Sequence, residues 1–227
     1  AVSPAAVLDR ARSAAPVEHG VVPATFAPSG AVADDDLAAG ARVSVLADLG
    51  APLVTGGGEE WNKVGDCIHS YLAAPLSALT ADQRLAVATR LVTRWGVGDR
   101  VTPEQVVACG DRWSDFVTGT LGATEVSSEV PFTWTNPAGQ RAQGWLDQLL
   151  TVPGNDSAGD GGTAADRRII VDHKTYPGTD PVGHVVANYL GQMAVYRDAL
   201  TAIDGVAPAA VLIHLPLLGT VLAVDLP

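Results

Sequence analysis

Cysteine is scarce in this chain, which has only Cys67 and Cys109 among its 227 residues. Two thiols are too few for a disulfide framework or for a four-thiolate iron–sulfur cluster, so both are excluded. Interpreted as buried apolar side chains, the two cysteines suit a reducing compartment. The sequence therefore predicts a cytoplasmic protein without an iron–sulfur cluster.

Basic residues are also few: 14 lysines and arginines stand against 25 aspartates and glutamates, giving a formal net charge of −11. A surface with this balance repels polyanions, which argues against a protein that coats itself with nucleic acid. Chemistry on phosphate groups at a single site is not excluded. A metal site built from carboxylates adds to the acidic excess, and its charge is partly neutralised by the bound ion.

Long apolar runs are missing as well. The sequence contains no apolar stretch of about 18 residues, and it has no basic segment followed by an apolar one at its start. It therefore predicts neither a membrane span nor a secretory signal.

The remaining composition is that of a globular protein, because 47% of the residues are apolar and 17% are charged. Residues 1–41 contain four prolines and the acidic run Asp34–Asp36, so we interpret them as a linker. The domain is predicted to span residues 42–227. The chain begins with Ala1, which fits either a segment of a longer protein or the removal of an initiator Met.

Apolar periodicity, capping residues and turn signals predict the elements of the domain. Their predicted order is helices over 59–74, 80–95 and 102–118, strands over 126–135, 140–152 and 168–172, a helix over 181–200, and strands over 209–215 and 220–226. The polar, glycine-rich stretch 153–166 is predicted to be a mobile loop. This order predicts an α/β fold, a mixed sheet with helices on its faces and an added N-terminal helical region.

The most informative segment is a short apolar strand that ends in Asp172, His173 and Lys174. Side chains alternate along a strand, so Asp172 and Lys174 share a face while His173 points away. A carboxylate and an ammonium therefore project together from the polar end of an apolar strand, where open sheets present working groups. The alternative is a surface ion pair on an emerging strand.

A second acid, Asp147, interrupts the apolar return strand of the hairpin. Burying a carboxylate is costly unless it is paired or bound to a cation. Antiparallel pairing of residues 140–152 with 167–172 would bring Asp147 beside Asp172, since neighbouring strands lie about 5 Å apart. The alternative is an aspartate satisfied by backbone amides near a bulge.

His69 lies in the first predicted helix, where a lone histidine is more often a core or capping residue than a ligand. Its meaning depends on its neighbours. With Asp147 and Asp172, and with the backbone carbonyl of His173 and water at other positions, its imidazole would complete an oxygen-rich site for Mg²⁺ or Mn²⁺.

Gln192 and Tyr196 are spaced i and i+4 in the late helix and therefore share a face. Their amide and hydroxyl groups could hold a phosphate or a base edge, although the spacing also fits an ordinary amphipathic helix. Glu129, in the outgoing strand of the hairpin, carries little signal alone.

Over residues 42–226, the chain resembles the RecB-like nuclease domain of the PD-(D/E)XK superfamily. Domains of this kind occur at the C-terminus of UvrD-like helicases and in helicase-nucleases of the RecBCD, AddAB and AdnAB type. The resemblance rests on five pieces in the family's order, namely His69, Glu129, Asp147, the triplet Asp172–Lys174 and the QxxxY motif of Gln192 and Tyr196. It implies a restriction-endonuclease-like core and a Mg²⁺- or Mn²⁺-dependent deoxyribonuclease.

The resemblance also implies a role for each residue. Metal ligation falls to His69, Asp147, Asp172 and the backbone carbonyl of His173, catalysis to Lys174 with the two aspartates, an accessory catalytic role to Glu129, and DNA contact to Gln192 and Tyr196. Compared with the family's pattern, the connection between Asp147 and Asp172 is lengthened by the glycine-rich stretch. The cysteines of the iron–sulfur branches have no counterpart here.

The partners implied by the resemblance are DNA, single-stranded or at unwound ends, and a helicase domain in the same chain or complex. Residues 1–41 would then be the connection from a preceding helicase. The sequence has no GxxxxGK[ST] motif, so any motor lies outside this chain.

Two other interpretations stay open. A nuclease-like domain without activity could guide DNA or dock partners in a helicase complex, and the net charge of −11 suits this interpretation. All the implied ligands are nevertheless present. A metal-dependent phosphoesterase for small substrates would instead hydrolyse a generic phosphodiester in preference to DNA.

Overall fold

The computed structural model describes residues 24–53, 61–154 and 165–227. Within these ranges the α-helices are α1 (Asp35–Gly40), α2 (Trp61–Leu72), α3 (Ala81–Trp95), α4 (Pro103–Asp115), α5 (Pro181–Asn188) and α6 (Leu190–Asp204). The three helices predicted between residues 59 and 118 are confirmed as α2, α3 and α4. Most of the predicted mobile loop, residues 155–164, lies outside the described residues. No helix of the described ranges has both the length and the apolar character needed to cross a bilayer.

Helices α3 and α4 begin at the capping residues that the sequence indicates. Thr80 accepts a hydrogen bond from the backbone N–H of Gln83, whose side chain accepts one from the N–H of Thr80 at 2.9 Å. Thr102 and Gln105 form the same reciprocal pair at the start of α4, where Pro103 occupies the first helical position. Amides without helical partners are thereby satisfied at both helix starts.

The strands of the described residues form one mixed sheet. They are β1 (Thr25–Phe26), β2 (Arg42–Asp48), β3 (Glu125–Thr135), β4 (Arg141–Val152), β5 (Arg167–His173), β6 (Ala210–Leu215) and β7 (Thr220–Asp225). Their order is β1, β4, β5, β6, β7, β2, with β3 also paired to β4. The pairs β1 with β4 and β5 with β6 are parallel, and the other pairs are antiparallel.

Apolar clusters cover both faces of the sheet. One cluster joins α2, α3 and α4 to the sheet and includes Tyr71, Trp113 and Leu150. The other joins α6 to the opposite face and includes Leu149 and Met193. The α/β class and the mixed sheet with helices are therefore confirmed, while a restriction-endonuclease-like core with an added N-terminal helical region stays a prediction.

Residues 24–41 pack on the domain, although they lie in the range predicted as a linker. Strand β1 pairs with β4 at Arg141. The chain then crosses α6, where Gly191 has no room for a Cβ against the carbonyl of Ala31. Strand β2, which the sequence pattern did not predict, pairs along its length with β7.

The single helix predicted over 181–200 is interrupted at Tyr189. This residue has φ −125° and ψ −7°, and it separates α5 from α6. Its ring centroid lies 4.9 Å from Nζ of Lys174. The interruption therefore places an aromatic ring against the predicted catalytic lysine.

Candidate metal centre

The hairpin ladder is interrupted where two acids lie opposite each other. The register pairs Ser128 with Gln148 and resumes two residues further along, so Glu129 lies opposite Asp147 outside the regular ladder. Glu129 has a positive φ of 51°, which no other non-glycine residue of the described ranges shows. Such a backbone is unusual for a residue with a Cβ, and backbone outliers of this kind are common at functional sites.

Strand β4 also changes the face on which its side chains pack. Leu146 belongs to the α6 cluster, whereas Leu150 belongs to the cluster of α2, α3 and α4. An even spacing of four residues would put both on one face of a regular strand. The strand therefore rotates near Asp147, and the alternation expected from sequence does not fix the direction of that carboxylate.

His69, Glu129 and Asp147 form a group that could hold a metal ion. One donor atom from each of these residues lies within 4.8 Å of the other two. An imidazole nitrogen with two carboxylate oxygens is a suitable donor set for a divalent cation such as Mn²⁺ or Mg²⁺. Glu129, which the resemblance gives an accessory role, belongs to this group, while Asp172 does not.

A cleft of about 400 Å³ opens at this group. Its walls come from α2, from the ends of α3 and α5, and from the hairpin. Residues that line it include Asn62, Asp66, His69, Trp95, Glu129 and Tyr189. The group is therefore accessible to a ligand from solvent.

The backbone of His173 holds two members of the group. Its carbonyl oxygen lies 2.6 Å from Nε2 of His69, and its N–H donates to Oδ2 of Asp147 at 2.7 Å. His69 donates in this contact, because a carbonyl oxygen can only accept. A cation ligated by Nε2 would replace that proton, which leaves the His173 carbonyl available as a further oxygen donor.

The surroundings of Asp147 destabilise its negative charge. Burial and, next, the charge of Asp172 raise the pKa of Asp147 to about 6, against the opposing effects of His69, the His173 N–H and Lys174. A carboxylate whose charge is disfavoured in this way gains most from a bound cation.

Asp172 and Lys174 form a buried pair beside this group. Nζ of Lys174 lies 2.9 Å from Oδ2 of Asp172, and the Asp172 side chain is 1% exposed. Burial alone would lower the pKa of Lys174, but the charge and hydrogen bond of Asp172 offset it and the pKa is raised. The lysine therefore stays an ammonium ion, and the alternative of a surface ion pair is wrong.

Gln192 and Tyr196 lie behind Asp172 on α6. The Gln192 amide donates to the Tyr196 hydroxyl at 2.7 Å and to Oδ1 of Asp172 at 3.4 Å. Both side chains are 5% exposed. Their polar groups therefore support Asp172 in this structure, and their contact with DNA stays a prediction.

A buried polar network that the sequence did not indicate joins five elements around the site, namely α2, α4, β4, β5 and β6. Gln148, next to Asp147, accepts from Nε1 of Trp113 at 2.8 Å and donates to the carbonyl of Leu72 in α2 at 3.1 Å. Trp113 stacks on His214 at 4.4 Å. Nδ1 of His214 lies 3.0 Å from Nδ1 of His173. His214 gave no signal because it stands in an apolar strand segment without a motif.

Trp113→Phe tests this network. The change removes the indole N–H and leaves Oε1 of Gln148 buried without its donor, so we expect a loss of about 1–3 kcal/mol in the free energy of unfolding. Urea denaturation measures the loss. The control is Trp145→Phe at an indole that is 60% exposed, where we expect a change within about 0.5 kcal/mol. Equal losses at the two positions would contradict a specific role for the Trp113 N–H.

Comparison of the chain with models of protein families gave no match. Comparison with curated proteins gave none either.

Proposed function

We propose that this chain is a metal-dependent deoxyribonuclease that hydrolyses phosphodiester bonds. One observation carries the proposal: a donor group able to hold a cation adjoins a buried aspartate–lysine pair. The backbone of a single residue, His173, connects the two parts, since it contacts His69 and Asp147 and lies between Asp172 and Lys174 in sequence.

The residues present fit a divalent cation. His69, Glu129 and Asp147 would hold it together with the carbonyl of His173, and Asp172 is a further carboxylate whose charge already acts on Asp147. When bound, Mg²⁺ or Mn²⁺ supplies positive charge that polarises a phosphate and favours ionisation of water.

The protein's own contribution is a preorganised positive charge. Asp172 holds the Lys174 ammonium at 2.9 Å, and the ring of Tyr189 contacts it from another side. Gln192 fixes the other oxygen of Asp172. An ammonium held in this way can position water and stabilise the negative charge that develops on a phosphate, without reorganising during the reaction.

DNA as the substrate, and a helicase as the partner, rest on the resemblance to RecB-like nucleases. The net charge of −11 gives the chain few cations for phosphate contacts. A helicase would deliver DNA by tethering, which raises its local concentration without new contacts at the site. The same charge favours a second candidate, an inactive module that guides DNA or docks partners.

Digestion of DNA in the presence and absence of metal tests the proposal. Purified chain at high concentration is incubated with linear and circular DNA in Mn²⁺, in Mg²⁺ and in EDTA. We expect cleavage in the two metals and none in EDTA. Asp99→Asn, which removes an exposed carboxylate in the turn after α3, is the control for a general effect of charge and should cleave like the wild type.

Three other outcomes would contradict the proposal. Metal binding without cleavage of any substrate would indicate the inactive module. Faster turnover of bis(para-nitrophenyl) phosphate than of DNA would indicate a small-substrate phosphoesterase. Equal cleavage in EDTA would exclude a metal-dependent reaction altogether.

A further inference from the structure

The outer half of the β3–β4 hairpin presents an exposed face that leads away from the candidate metal centre. Its cross-strand pairs join Pro131 to Trp145, Thr133 to Gln143 and Thr135 to Arg141. All six residues are exposed. We refer to these six residues as the hairpin face.

The position of Trp145 shows which side of the sheet the hairpin face occupies. Its neighbours Ala142 and Leu146 pack in the α6 cluster. Trp145 therefore points to the opposite side, and 60% of its surface is exposed. An indole exposed to this degree on a regular strand leaves a large flat apolar surface in water.

The charge of the hairpin face differs from that of the whole chain. The chain has 25 acidic residues against 14 basic ones. The hairpin face has no carboxylate, and it combines one arginine, two threonines, one glutamine, one proline and one tryptophan. Arg141 is its only charge. The hairpin face therefore repels a polyanion less than the acidic surface of the rest of the protein does.

The hairpin face is continuous with the metal-binding group. Glu129 precedes Pro131 by two residues, and Asp147 follows Trp145 by two residues. Two residues of a strand span about 7 Å. A flexible chain lying along the hairpin face would thus bring its backbone to the group of His69, Glu129 and Asp147.

We infer that the hairpin face binds single-stranded nucleic acid, with one base stacked on Trp145 and one phosphate near Arg141. This inference rests on the proposed function, because it describes how substrate reaches the same site. Bases in a duplex are stacked on each other, whereas a single strand exposes its bases to an aromatic ring. Stacking on an aromatic side chain contributes about 1–3 kcal/mol per base.

The inference explains how an acidic protein can hold a nucleic acid. With one arginine on the hairpin face, counterion release contributes little, so stacking must supply most of the affinity. Binding should consequently depend weakly on salt. It should also require the base and tolerate any base identity, because every base has a π-face.

The test measures binding of a fluorescein-labelled oligo(dT) of about 12 nucleotides to the whole 227-residue chain. Fluorescence anisotropy at low salt in EDTA records affinity while metal-dependent cleavage is prevented. We expect Trp145→Ala to weaken binding about tenfold or more, which corresponds to about 1.4 kcal/mol. Trp145→Phe, which keeps a ring, should remain within about threefold of the wild type.

Two controls separate stacking from other effects. Ile203→Ala removes another exposed apolar side chain, 58% exposed on α6, and should not change the affinity. An abasic oligonucleotide of the same length should bind weakly to the wild type and should not distinguish it from Trp145→Ala. Arg141→Gln should lower the slope of log affinity against log salt by about 0.7, as expected for one lost phosphate contact on a single strand.

Several results would overturn the inference. One is no detectable binding of oligo(dT) by the wild type, and another is equal affinity of the wild type and Trp145→Ala for oligo(dT). A third is a loss of affinity in Trp145→Ala that is as large for the abasic oligonucleotide as for oligo(dT). Trp145→Ala that changes an oligomer to a monomer in sedimentation, with unchanged affinity for oligo(dT), would make the hairpin face a protein interface. Failure of the proposed function is distinguishable, because it would appear as absent cleavage in Mn²⁺ with the Trp145-dependent binding intact.

Discussion

Asp147→Asn is expected to abolish metal-dependent cleavage, lowering the rate by about 10³-fold, a size typical of losing a principal electrostatic group of an active site. The amide has almost the shape of the carboxylate and can still accept the hydrogen bond that His173 N–H donates at 2.7 Å. The substitution does, however, remove one of the two negative charges with which the group of His69, Glu129 and Asp147 would bind a cation. Calorimetric titration with Mn²⁺ should therefore show weakened binding in the variant, while Asp99→Asn binds and cleaves like the wild type.

The same substitution should stabilise the metal-free protein at neutral pH. Burial and Asp172 raise the pKa of Asp147 from 3.8 to about 6, so the folded state holds a proton that the unfolded state has released between these values. Stability due to this proton is complete below the unfolded pKa and is lost as pH rises through about 6. Relative to the variant, the free energy of unfolding of the wild type therefore falls by on the order of 2–3 kcal/mol on going from acid to neutral pH.

Urea unfolding in EDTA between about pH 4 and pH 8 measures this difference. We expect Asp147→Asn and wild type to differ least at the acid end and most at the alkaline end, with the variant more stable there. A difference that does not change with pH would contradict the assignment of the raised pKa to Asp147. Wild-type cleavage by the variant would exclude Asp147 from the metal site.

Lys174→Ala is the second substitution with a large expected effect. We expect turnover to fall by about 10²-fold or more, because the charge lost is preorganised by Asp172 at 2.9 Å. Metal affinity should stay within a few fold, since the donor group of His69, Glu129 and Asp147 is unchanged. Single-turnover cleavage and calorimetry measure the two quantities separately. Loss of metal affinity in step with activity would make Lys174 a structural residue.

Removing Lys174 also leaves a carboxylate that is 1% exposed without its partner. Breaking a buried pair in this way typically costs about 3–5 kcal/mol. The control is the double substitution Asp172→Asn with Lys174→Met, which removes both charges together. It should recover much of the stability and none of the activity, so a folding defect can be distinguished from a catalytic one.

Local chemistry made much of the fold predictable. The capping boxes at Thr80 and Thr102 set two helix starts to the residue. The antiparallel pairing of β4 with β5, the arrangement that would bring Asp147 beside Asp172, is present and runs from Val152 opposite Arg167 to Gln148 opposite Val171. Strand β2 was not predicted, because its partner β7 is remote in sequence and its own residues are mostly exposed.

The candidate site was predictable where side chains alternate regularly along a strand, and it was not predictable where that alternation is broken. The expectation that His173 points away from its two neighbours is confirmed, since its ring contacts Trp113 and His214 in a buried cluster. The contribution of Glu129 depends on its positive φ and on the rotation of β4 at Asp147. Neither departure has a signature in the residue types of the two strands.

The position of residues 24–48, which contain β1 and β2, has a consequence for how the chain folds. Strands β1 and β2 are neighbours in sequence, yet they occupy opposite ends of the sheet order. Arg42 pairs with Asp225, so β2 is synthesised long before β7, the strand with which it pairs. The β3–β4 hairpin can form meanwhile from local contacts. Closure of the sheet therefore has to wait until β7 has been synthesised. It also has to overcome the entropy of closing a long loop, and β2 is an unpaired strand until then.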